Sequence, residues 1–216
     1  MAEPASAPCQ MAEHAGHDPQ QALEVARWRK AERQRLRDER MALSVAARSD
    51  WAAALREHLD EGLETWLAGP VAGRVIGGYW PIKGEADLRP WLTSLHARGA
   101  QVALPVVVQK GQPLVWRPWH PGQAMERGDW NIPVPPASAG TAIPDLALAP
   151  LVGWDGAGYR LGYGGGYFDR TLASLRPYRP FVVGVGLQAA RLATVFPQWH
   201  DIPMSAIVTE AGTQSI

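Results

Sequence analysis

The spacing of apolar residues divides the chain into alternating helices and strands. In four segments, apolar side chains recur every three or four residues, which is the period of an amphipathic helix. These predicted helices cover about residues 20–44, 50–68, 87–98 and 167–175. Short runs rich in Val, Ile and Leu, bounded by Gly or Pro, predict strands. The predicted strands cover residues 73–79, 101–108 with an interruption at Pro105, 114–119, 146–150, 181–187 and 206–209.

The order of these elements predicts the fold class. Strand, helix and strand in succession indicate a right-handed βαβ unit on a parallel sheet. We therefore predict an α/β fold with a mostly parallel central sheet flanked by helices, a Rossmann-like three-layer sandwich, preceded by a basic N-terminal helix. One domain is expected from residue 20 to 216, and residues 1–19 are expected to form a disordered tail. Ligands of such sheets bind at the carboxyl ends of strands, so the loops after Tyr79, Val106 and Pro150 are expected to meet in one crevice.

The most distinctive stretch is residues 160–170, with the sequence RLGYGGGYFDR. Glycine reaches positive φ cheaply and lets successive backbone N–H groups turn towards one anion. If a helix begins at Tyr167, its free N–H groups add to the same site. The stretch lacks the Gly-Lys-Ser/Thr of a Walker A loop and has Tyr167 where the dinucleotide fingerprint requires a third glycine. It predicts a polyphosphate site, with an ordinary turn or glycine-rich hairpin as the alternative.

The predicted first helix carries a line of arginines. Arg29, Arg33, Arg37 and Arg40 follow i+3 or i+4 spacing, so they are predicted to share one face that could meet an anion. In the alternative, the helix is solvated, and its charge is offset by Glu24, Glu32, Asp38 and Glu39.

Three carboxylates are candidates for binding. Asp169 and Asp201 are candidate ligands of Mg²⁺, which takes only one or two protein carboxylates. The alternative for Asp201 is a turn residue in front of Ile-Pro. Glu85 follows a predicted strand, where it could accept hydrogen bonds from an amino or imino group of a heterocycle. Its alternative is an N-cap or first-turn position of the next helix, and both roles can hold together.

Aromatic side chains near these positions could stack on a planar ring. The candidates are Trp80, Trp130, Tyr163, Tyr167 and Phe168. For Trp130 two interpretations stay open, an ordered loop closing over a pocket and a plug of the core. The sequence has no evident Ser-His-Asp or Cys-His pairing and no G-x-S-x-G elbow, so hydrolase chemistry is poorly supported.

Composition limits the classes of partner that the chain is expected to bind. The 21 basic and 21 acidic residues give zero formal charge, so no overall field recruits nucleic acid or a membrane. The single cysteine excludes an intramolecular disulfide framework. No apolar run approaches about 18 residues, and residues 1–19 lack the apolar core of a signal peptide. We expect a cytoplasmic monomer that acts on small molecules, with no nucleic-acid or membrane partner.

Several of these stretches together resemble the 5-formyltetrahydrofolate cyclo-ligase family, also called 5,10-methenyltetrahydrofolate synthetase. The resemblance rests on residues 160–170, on YWPIKGE at 79–85, on WNIP at 130–133, on the basic helix and on HDIP at 200–203. These segments stand in the family's order from about residue 25 to 210.

The resemblance implies an activity. It is an ATP- and Mg²⁺-dependent closure of 5-formyltetrahydrofolate to 5,10-methenyltetrahydrofolate, with release of ADP and phosphate, through a phosphorylated formyl intermediate. Alignment and charge neutralisation matter more here than a covalent nucleophile, so no catalytic side chain is assigned. An alternative from another class is a non-catalytic nucleotide or nucleic-acid binding protein that uses the arginine-rich helix and the aromatic-flanked glycine loop.

The resemblance also implies site residues. ATP contacts are expected at Arg29, Lys30, Arg33, Arg160, Leu161, Gly162, Tyr163, Gly164, Gly165, Gly166, Tyr167 and Phe168. Folate contacts are expected at Trp80, Glu85, Trp130, Tyr163, Gly164, Gly165, Gly166 and Tyr167. The Mg²⁺ ligands fall on Asp169 and Asp201.

The chain departs from the family pattern at two places. Many members begin the basic motif with lysine, and here either Arg29 or Lys30 takes that place. Some members have lysine where this chain has Gly165, so a phosphate-binding cation is expected from elsewhere, with Lys83 and Arg170 as the candidates.

Overall fold

A computed structural model describes residues 19–216, without the side chain of Pro19. The rest of the predicted tail lies outside the described residues. The helices are α1 (Pro19–Ala42), α2 (Val45–Trp66), α3 (Arg89–Ala97) and α4 (Tyr167–Leu175). The strands are β1 (Val75–Gly77), β2 (Gln101–Val106), β3 (Val115–Trp119), β4 (Glu126–Arg127), β5 (Pro133–Val134), β6 (Leu146–Pro150), β7 (Gly153–Asp155), β8 (Arg160–Leu161), β9 (Phe181–Val185), β10 (Arg191–Leu192), β11 (Ala206–Thr209) and β12 (Gly212–Ser215).

Seven strands form the central sheet, in the order β12-β11-β9-β6-β1-β2-β3. The five inner strands are parallel, and the two edge strands β12 and β3 are antiparallel to their neighbours. In chain order the parallel strands lie 2-1-3-4-5, so the direction of winding reverses between β1 and β6. Open sheets of this kind bind ligands at that reversal, beyond the carboxyl ends of the strands. The predicted α/β class with a mostly parallel sheet is confirmed.

Helices cover both faces of the sheet. Leu146 and Leu148 of β6 belong to one apolar cluster with the buried side chains of α2 and α3. Ala149 of the same strand belongs to a second cluster, which includes Leu36 of α1 and Leu172 of α4. Successive residues of a strand point to opposite faces, so the sheet is the middle of three layers.

Two smaller sheets lie outside the central one. They are the three-stranded β10-β7-β8 and the two-stranded β4-β5. Strand β8 leads directly into the glycines and then into α4, so the small sheet sets where the glycine-rich segment begins.

Two helices begin at other residues than predicted, and side-chain hydrogen bonds account for both starts. Helix α2 begins at Val45 because the Ser44 hydroxyl accepts a hydrogen bond from the Ala47 N–H at 3.1 Å, a standard N-cap. Helix α3 begins at Arg89, whose N–H donates to the Asp87 carboxylate at 3.0 Å.

Strand β2 runs through Pro105 without interruption. Strand β1 pairs with β2 only as far as Ala103, so the missing N–H of Pro105 leaves no ladder bond unmade on that side. Strand β12 was not predicted, because its sequence GTQS has no apolar alternation. Within residues 19–216, no helix is both long and apolar enough to cross a membrane.

Candidate active site

The glycine segment forms a loop between β8 and α4, next to the point where the winding of the sheet reverses. Gly164 has φ of 93° and Gly166, the N-cap of α4, has φ of 63°, a region that favours glycine. No side chain caps α4. Within residues 19–216, the backbone N–H groups of residues 162–168 donate no hydrogen bond. The loop therefore presents free donors at a helix N-terminus, which is a site for an anion.

The arginines of α1 face this loop. Arg33 Nε donates to the Gly162 carbonyl at 2.9 Å, and the Arg37 guanidinium lies 5.7 Å from the centre of the Tyr163 ring. The predicted shared face of the stripe is confirmed, and the solvated-helix alternative is wrong for these side chains. Lys30 is exposed, whereas Arg29 is buried. Of the two candidates for the first basic position, only Arg29 thus lies on the buried side of α1.

Arg40 is the most buried arginine of the stripe, at 3% exposure. Its Nε donates to the Lys83 carbonyl at 3.2 Å, and its Nη1 donates to the Leu151 carbonyl at 3.1 Å. Its Nη2 donates to the Tyr163 hydroxyl at 2.6 Å. Lys83 follows β1, Leu151 follows β6 and Tyr163 belongs to the glycine loop. One guanidinium therefore joins the three segments that meet at the reversal, a role for Arg40 that was not predicted beyond its place in the stripe.

Glu85 lies against the same cluster. Its Oε1 accepts a hydrogen bond from the Tyr163 hydroxyl at 2.7 Å, and its Oε2 accepts one from the Ile82 N–H at 2.9 Å. Burial raises the pKa of the Glu85 carboxyl, against the opposite effect of these two hydrogen bonds. Glu85 does not belong to the first turn of α3, which begins at Arg89, so the helix-capping alternative is wrong.

Asp169, in the first turn of α4, is paired with a buried arginine. Arg160 Nη1 donates to Asp169 Oδ1 at 3.0 Å, and the Ile202 N–H donates to the same oxygen at 3.4 Å. The Arg160 guanidinium also lies 5.3 Å from the centre of the Phe168 ring. Leu161 is completely buried in β8, and its carbonyl accepts a hydrogen bond from the Val152 N–H at 2.8 Å, so the structure does not expose it for the expected nucleotide contact.

Asp201 is paired with α1. Arg29 Nη1 donates to Asp201 Oδ2 at 2.7 Å, and both side chains are under one-tenth exposed. The Gln198 N–H donates to the same oxygen at 2.8 Å, so Asp201 has the turn role that the alternative predicted, while its role as a metal ligand stays a prediction. Burial acts to raise the pKa of Asp201, but the hydrogen bonds from Arg29 and Gln198 outweigh it and leave that pKa below its ordinary value.

The two aspartates fit a magnesium ion through their remaining oxygens. Each carboxylate has one oxygen bound to an arginine, while Asp169 Oδ2 accepts no hydrogen bond within residues 19–216, and Asp201 Oδ1 meets only His200 Nε2 at 3.8 Å. No group of three or more His, Cys, Asp or Glu side chains with metal-binding geometry occurs in this part of the chain. Magnesium usually keeps several waters and takes few carboxylates, so two free oxygens beside a phosphate site suit it.

The aromatic candidates surround the loop to different extents. Trp130 is 68% exposed and meets the Tyr167 ring edge-on, with centroids 5.5 Å apart. The interpretation of Trp130 as a plug of the core is therefore wrong. Trp80 is half-buried, and the Arg89 guanidinium lies 4.8 Å from the centre of its ring, so one face is already covered.

Both candidates for the missing loop lysine lie against the loop. Arg170 Nη2 donates to the Gly165 carbonyl at 2.6 Å, and its guanidinium lies 5.1 Å from the centre of the Tyr167 ring. The Lys83 ammonium lies 5.1 Å from the centre of the Tyr163 ring. Arg170 thus lies at Gly165 itself, whereas Lys83 lies at Tyr163 of the same loop.

Three arginines around the loop carry a buried donor without a partner. In residues 19–216, the Nε atoms of Arg29, Arg37 and Arg170 are buried and make no hydrogen bond. Buried polar groups in proteins are nearly always paired. The guanidinium groups of Arg37 and Arg170 contact the loop, and that of Arg29 is bound to Asp201.

Comparison with known proteins shows to which family the chain belongs. A model of the 5-formyltetrahydrofolate cyclo-ligase family matches residues 25–210. The 5-formyltetrahydrofolate cyclo-ligase of Mycolicibacterium smegmatis is 33% identical over 164 residues, which are 72% of this chain and 84% of the relative. The enzyme of that name from Escherichia coli (strain K12) is 30% identical over 145 residues, 64% of this chain and 79% of the relative.

A solved structure has a similar fold. The NMR structure of Aquifex aeolicus 5,10-methenyltetrahydrofolate synthetase superposes with a TM-score of 0.72 at 25% identity, and the match covers 87% of this chain and 92% of that one. The family match spans all the segments that form the site, from the stripe on α1 to Asp201. The chain is an enzyme of the 5-formyltetrahydrofolate cyclo-ligase family.

Proposed function

We propose that this enzyme closes 5-formyltetrahydrofolate to 5,10-methenyltetrahydrofolate, consuming ATP in the presence of Mg²⁺ and releasing ADP and phosphate. One observation carries the proposal. The glycine loop contacts the arginine stripe through Gly162 and contacts Glu85 through Tyr163, so a phosphate region and a ring-binding region share one loop. A reaction that transfers a phosphoryl group onto a second substrate requires that juxtaposition.

The polyphosphate binds at the loop in this proposal. The N–H groups of residues 162–168 and the N-terminus of α4 supply neutral donors, while Arg29, Arg33 and Arg160 supply charge. Arg170 is the cation that stands in for a loop lysine, because it already lies against Gly165. Lys30 is left out of this arrangement because it is exposed.

Asp169 and Asp201 would hold the magnesium ion, each through the oxygen that is not bound to an arginine. When bound, the ion would neutralise charge on the phosphate oxygens. The paired arginines fix the orientation of both carboxylates, so the protein determines where the free oxygens point.

The pterin ring binds on the other side of the loop. Glu85 accepts hydrogen bonds from ring N–H groups, and Trp80 offers the ring face that Arg89 leaves uncovered. Trp130 and Tyr167 form an aromatic edge beside the glycines. Side chains at Gly164, Gly165 and Gly166 would stand between the two substrates.

The chemistry then proceeds in two displacements. The formyl oxygen is a poor leaving group, so it first attacks the γ-phosphorus of ATP, and ADP departs. Atom N10 of the folate attacks the activated formyl carbon, loses its proton, and the C–O bond breaks to release phosphate. The protein aligns the groups and stabilises negative charge, and no side chain forms a covalent bond.

A direct assay tests the proposal. Purified protein is mixed with ATP, Mg²⁺ and 5-formyltetrahydrofolate, and the ultraviolet absorbance of the methenyl product is followed. We expect product formation that requires all three components and stops when EDTA removes the metal. ADP release without the folate would indicate another acceptor, and absence of the methenyl absorbance would refute the proposal.

The alternative of a nucleic-acid binding protein uses the arginine stripe as an open surface. Burial of Arg29 and Arg40 argues against that use. Steep salt-dependent binding to oligonucleotides would favour it. The proposal also includes a monomer in the cytoplasm, and light scattering on the purified protein tests the oligomeric state.

A further inference from the structure

Arg40 forms a chain of hydrogen bonds that ends on Glu85. Its Nη2 donates to the Tyr163 hydroxyl at 2.6 Å, and that hydroxyl donates to Glu85 Oε1 at 2.7 Å. A hydroxyl that accepts from a guanidinium is polarised and becomes a stronger donor. The positive charge of Arg40 therefore acts on the Glu85 carboxylate through one intervening group.

Arg40 is itself held in place by the fold. Its other two hydrogen bonds end on the carbonyls of Lys83 and Leu151, beyond the carboxyl ends of β1 and β6. The planar guanidinium has a fixed fork of donors, so these contacts determine the direction of the third. The position of the Tyr163 hydroxyl follows from the two neighbouring strands.

We propose that Arg40 is a positioning residue which, through the Tyr163 hydroxyl, orients the Glu85 carboxylate to receive the pterin ring. The proposal rests on the proposed function, since it takes Glu85 as a folate contact. Arg40 itself touches no substrate in this arrangement.

The charged and titratable groups that face Glu85 come from three elements. Arg40 comes from α1 and Tyr163 from the glycine loop, while Lys83 and Tyr79 belong to the segment after β1. Burial raises the pKa of Glu85, and Tyr163, Arg40 and Lys83 oppose that rise. Loss of Arg40 therefore moves the pKa of Glu85 further upward, and the ionised fraction at neutral pH falls.

The test uses Arg40→Gln, which removes the charge and the fork. The pKa of Glu85 is measured by carbon-13 NMR on protein labelled at the glutamate carboxyl carbons, with the signal assigned by its absence in Glu85→Gln. We expect a higher pKa of Glu85 in Arg40→Gln than in the wild type. The dissociation constant of 5-formyltetrahydrofolate without ATP, measured by calorimetry, is expected to rise about tenfold at pH 6 and less at pH 8.

Three variants serve as controls. Arg35→Gln makes the same chemical change on the exposed side of α1, where Arg35 pairs with Glu32 and Glu39. It should leave both measurements unchanged. Arg40→Lys keeps the charge and loses the fork, so it should weaken folate binding with little pH dependence.

Tyr163→Phe removes the intervening hydroxyl and keeps Arg40. It should raise the pKa of Glu85 in a chain whose buried core is untouched, which tests the part of the hydroxyl. Weaker folate binding in Arg40→Lys tests the part of Arg40 if Arg40→Gln does not fold. An unchanged pKa of Glu85 in the folded variants would overturn the proposal, whatever the substrate. A raised pKa without any change in folate binding would instead overturn the placement of Glu85 in the pterin site, and with it the positioning role.

Discussion

The two faces of the central sheet are held together by different interactions. On the face covered by α2 and α3, Leu55, Leu59 and Leu63 are completely buried among other apolar side chains. On the face covered by α1 and α4, Arg29 and Arg40 are buried and make hydrogen bonds to Asp201 and to the loops. The leucine side chains of the first face carry no polar atoms, whereas the arginine side chains of the second need hydrogen-bond partners.

The difference separates stability from activity. Apolar burial lowers the free energy of the folded state whether or not a ligand is present. A buried cation is favourable only when its donors are paired, and among residues 19–216 the Nε atoms of Arg29, Arg37 and Arg170 stay unpaired. The α1 and α4 face therefore combines an apolar cluster with buried charged groups, whereas the leucines of the α2 and α3 face serve the folding free energy alone.

The largest expected effect is on stability. Leu59→Ala should lower the free energy of unfolding by about 2–5 kcal/mol, because it removes a fully buried side chain and leaves a cavity. Urea denaturation measures it, with the exposed Leu23→Ala on α1 as the control, expected within about 0.5 kcal/mol of the wild type. Turnover per folded molecule should stay unchanged. A lower turnover would show that the α2 and α3 face also affects activity.

The next effect falls on the other face. Asp169→Asn should lower turnover about 10- to 100-fold, because the amide holds the metal more weakly. Initial rates against Mg²⁺ concentration measure it, and a higher Mg²⁺ requirement is expected. Asp38→Asn, which makes the same change at an exposed residue of α1, should have no effect. An unaltered Mg²⁺ dependence in Asp169→Asn would remove Asp169 from the metal site.

Glu85→Gln should act on one substrate only. We expect the KM for 5-formyltetrahydrofolate to rise about tenfold, since a charged acceptor is lost, with the KM for ATP unchanged. Steady-state kinetics with each substrate varied in turn separates the two values. Glu64→Gln, which makes the same change at an exposed residue of α2, is the matched control. Equal changes in both KM values would show that the loop does not separate phosphate and ring regions.

The smallest expected effect is at the exposed Trp130. Trp130→Ala should raise the folate KM about 2- to 10-fold, the magnitude of one aromatic contact. The free energy of unfolding should change by no more than about 0.5 kcal/mol, because the ring is 68% exposed. Trp199→Ala, at an 84% exposed tryptophan, is the control for loss of an exposed ring. A large loss of stability in Trp130→Ala would give the ring a packing role instead.

Local patterns predicted much of this molecule. Helical spacing placed Arg29, Arg33 and Arg37 on one face, and that face meets the glycine loop. The order of strands and helices predicted the parallel sheet, and the glycines predicted a loop in front of α4. In each case the information lies within a few residues of the chain.

Contacts between distant segments were not predictable in the same way. Tyr163 and Glu85 are 78 residues apart, and no periodicity relates them. Arg40 was recognised as part of the stripe, but its three acceptors follow from the sheet order, which the sequence does not state. The choice between Arg29 and Lys30 depended on how α1 packs, since neighbouring residues on a helix differ by about 100° in direction.

The pairing of Arg29 with Asp201 has a consequence for synthesis of the protein on the ribosome. The two residues are 172 positions apart. At about 5–20 residues per second, α1 is made roughly 10–30 s before Asp201. For most of that interval the arginines of α1 lack the glycine loop, and throughout it Arg29 lacks Asp201. Arg29 therefore lacks the carboxylate that it binds in the folded protein until residue 201 has been made.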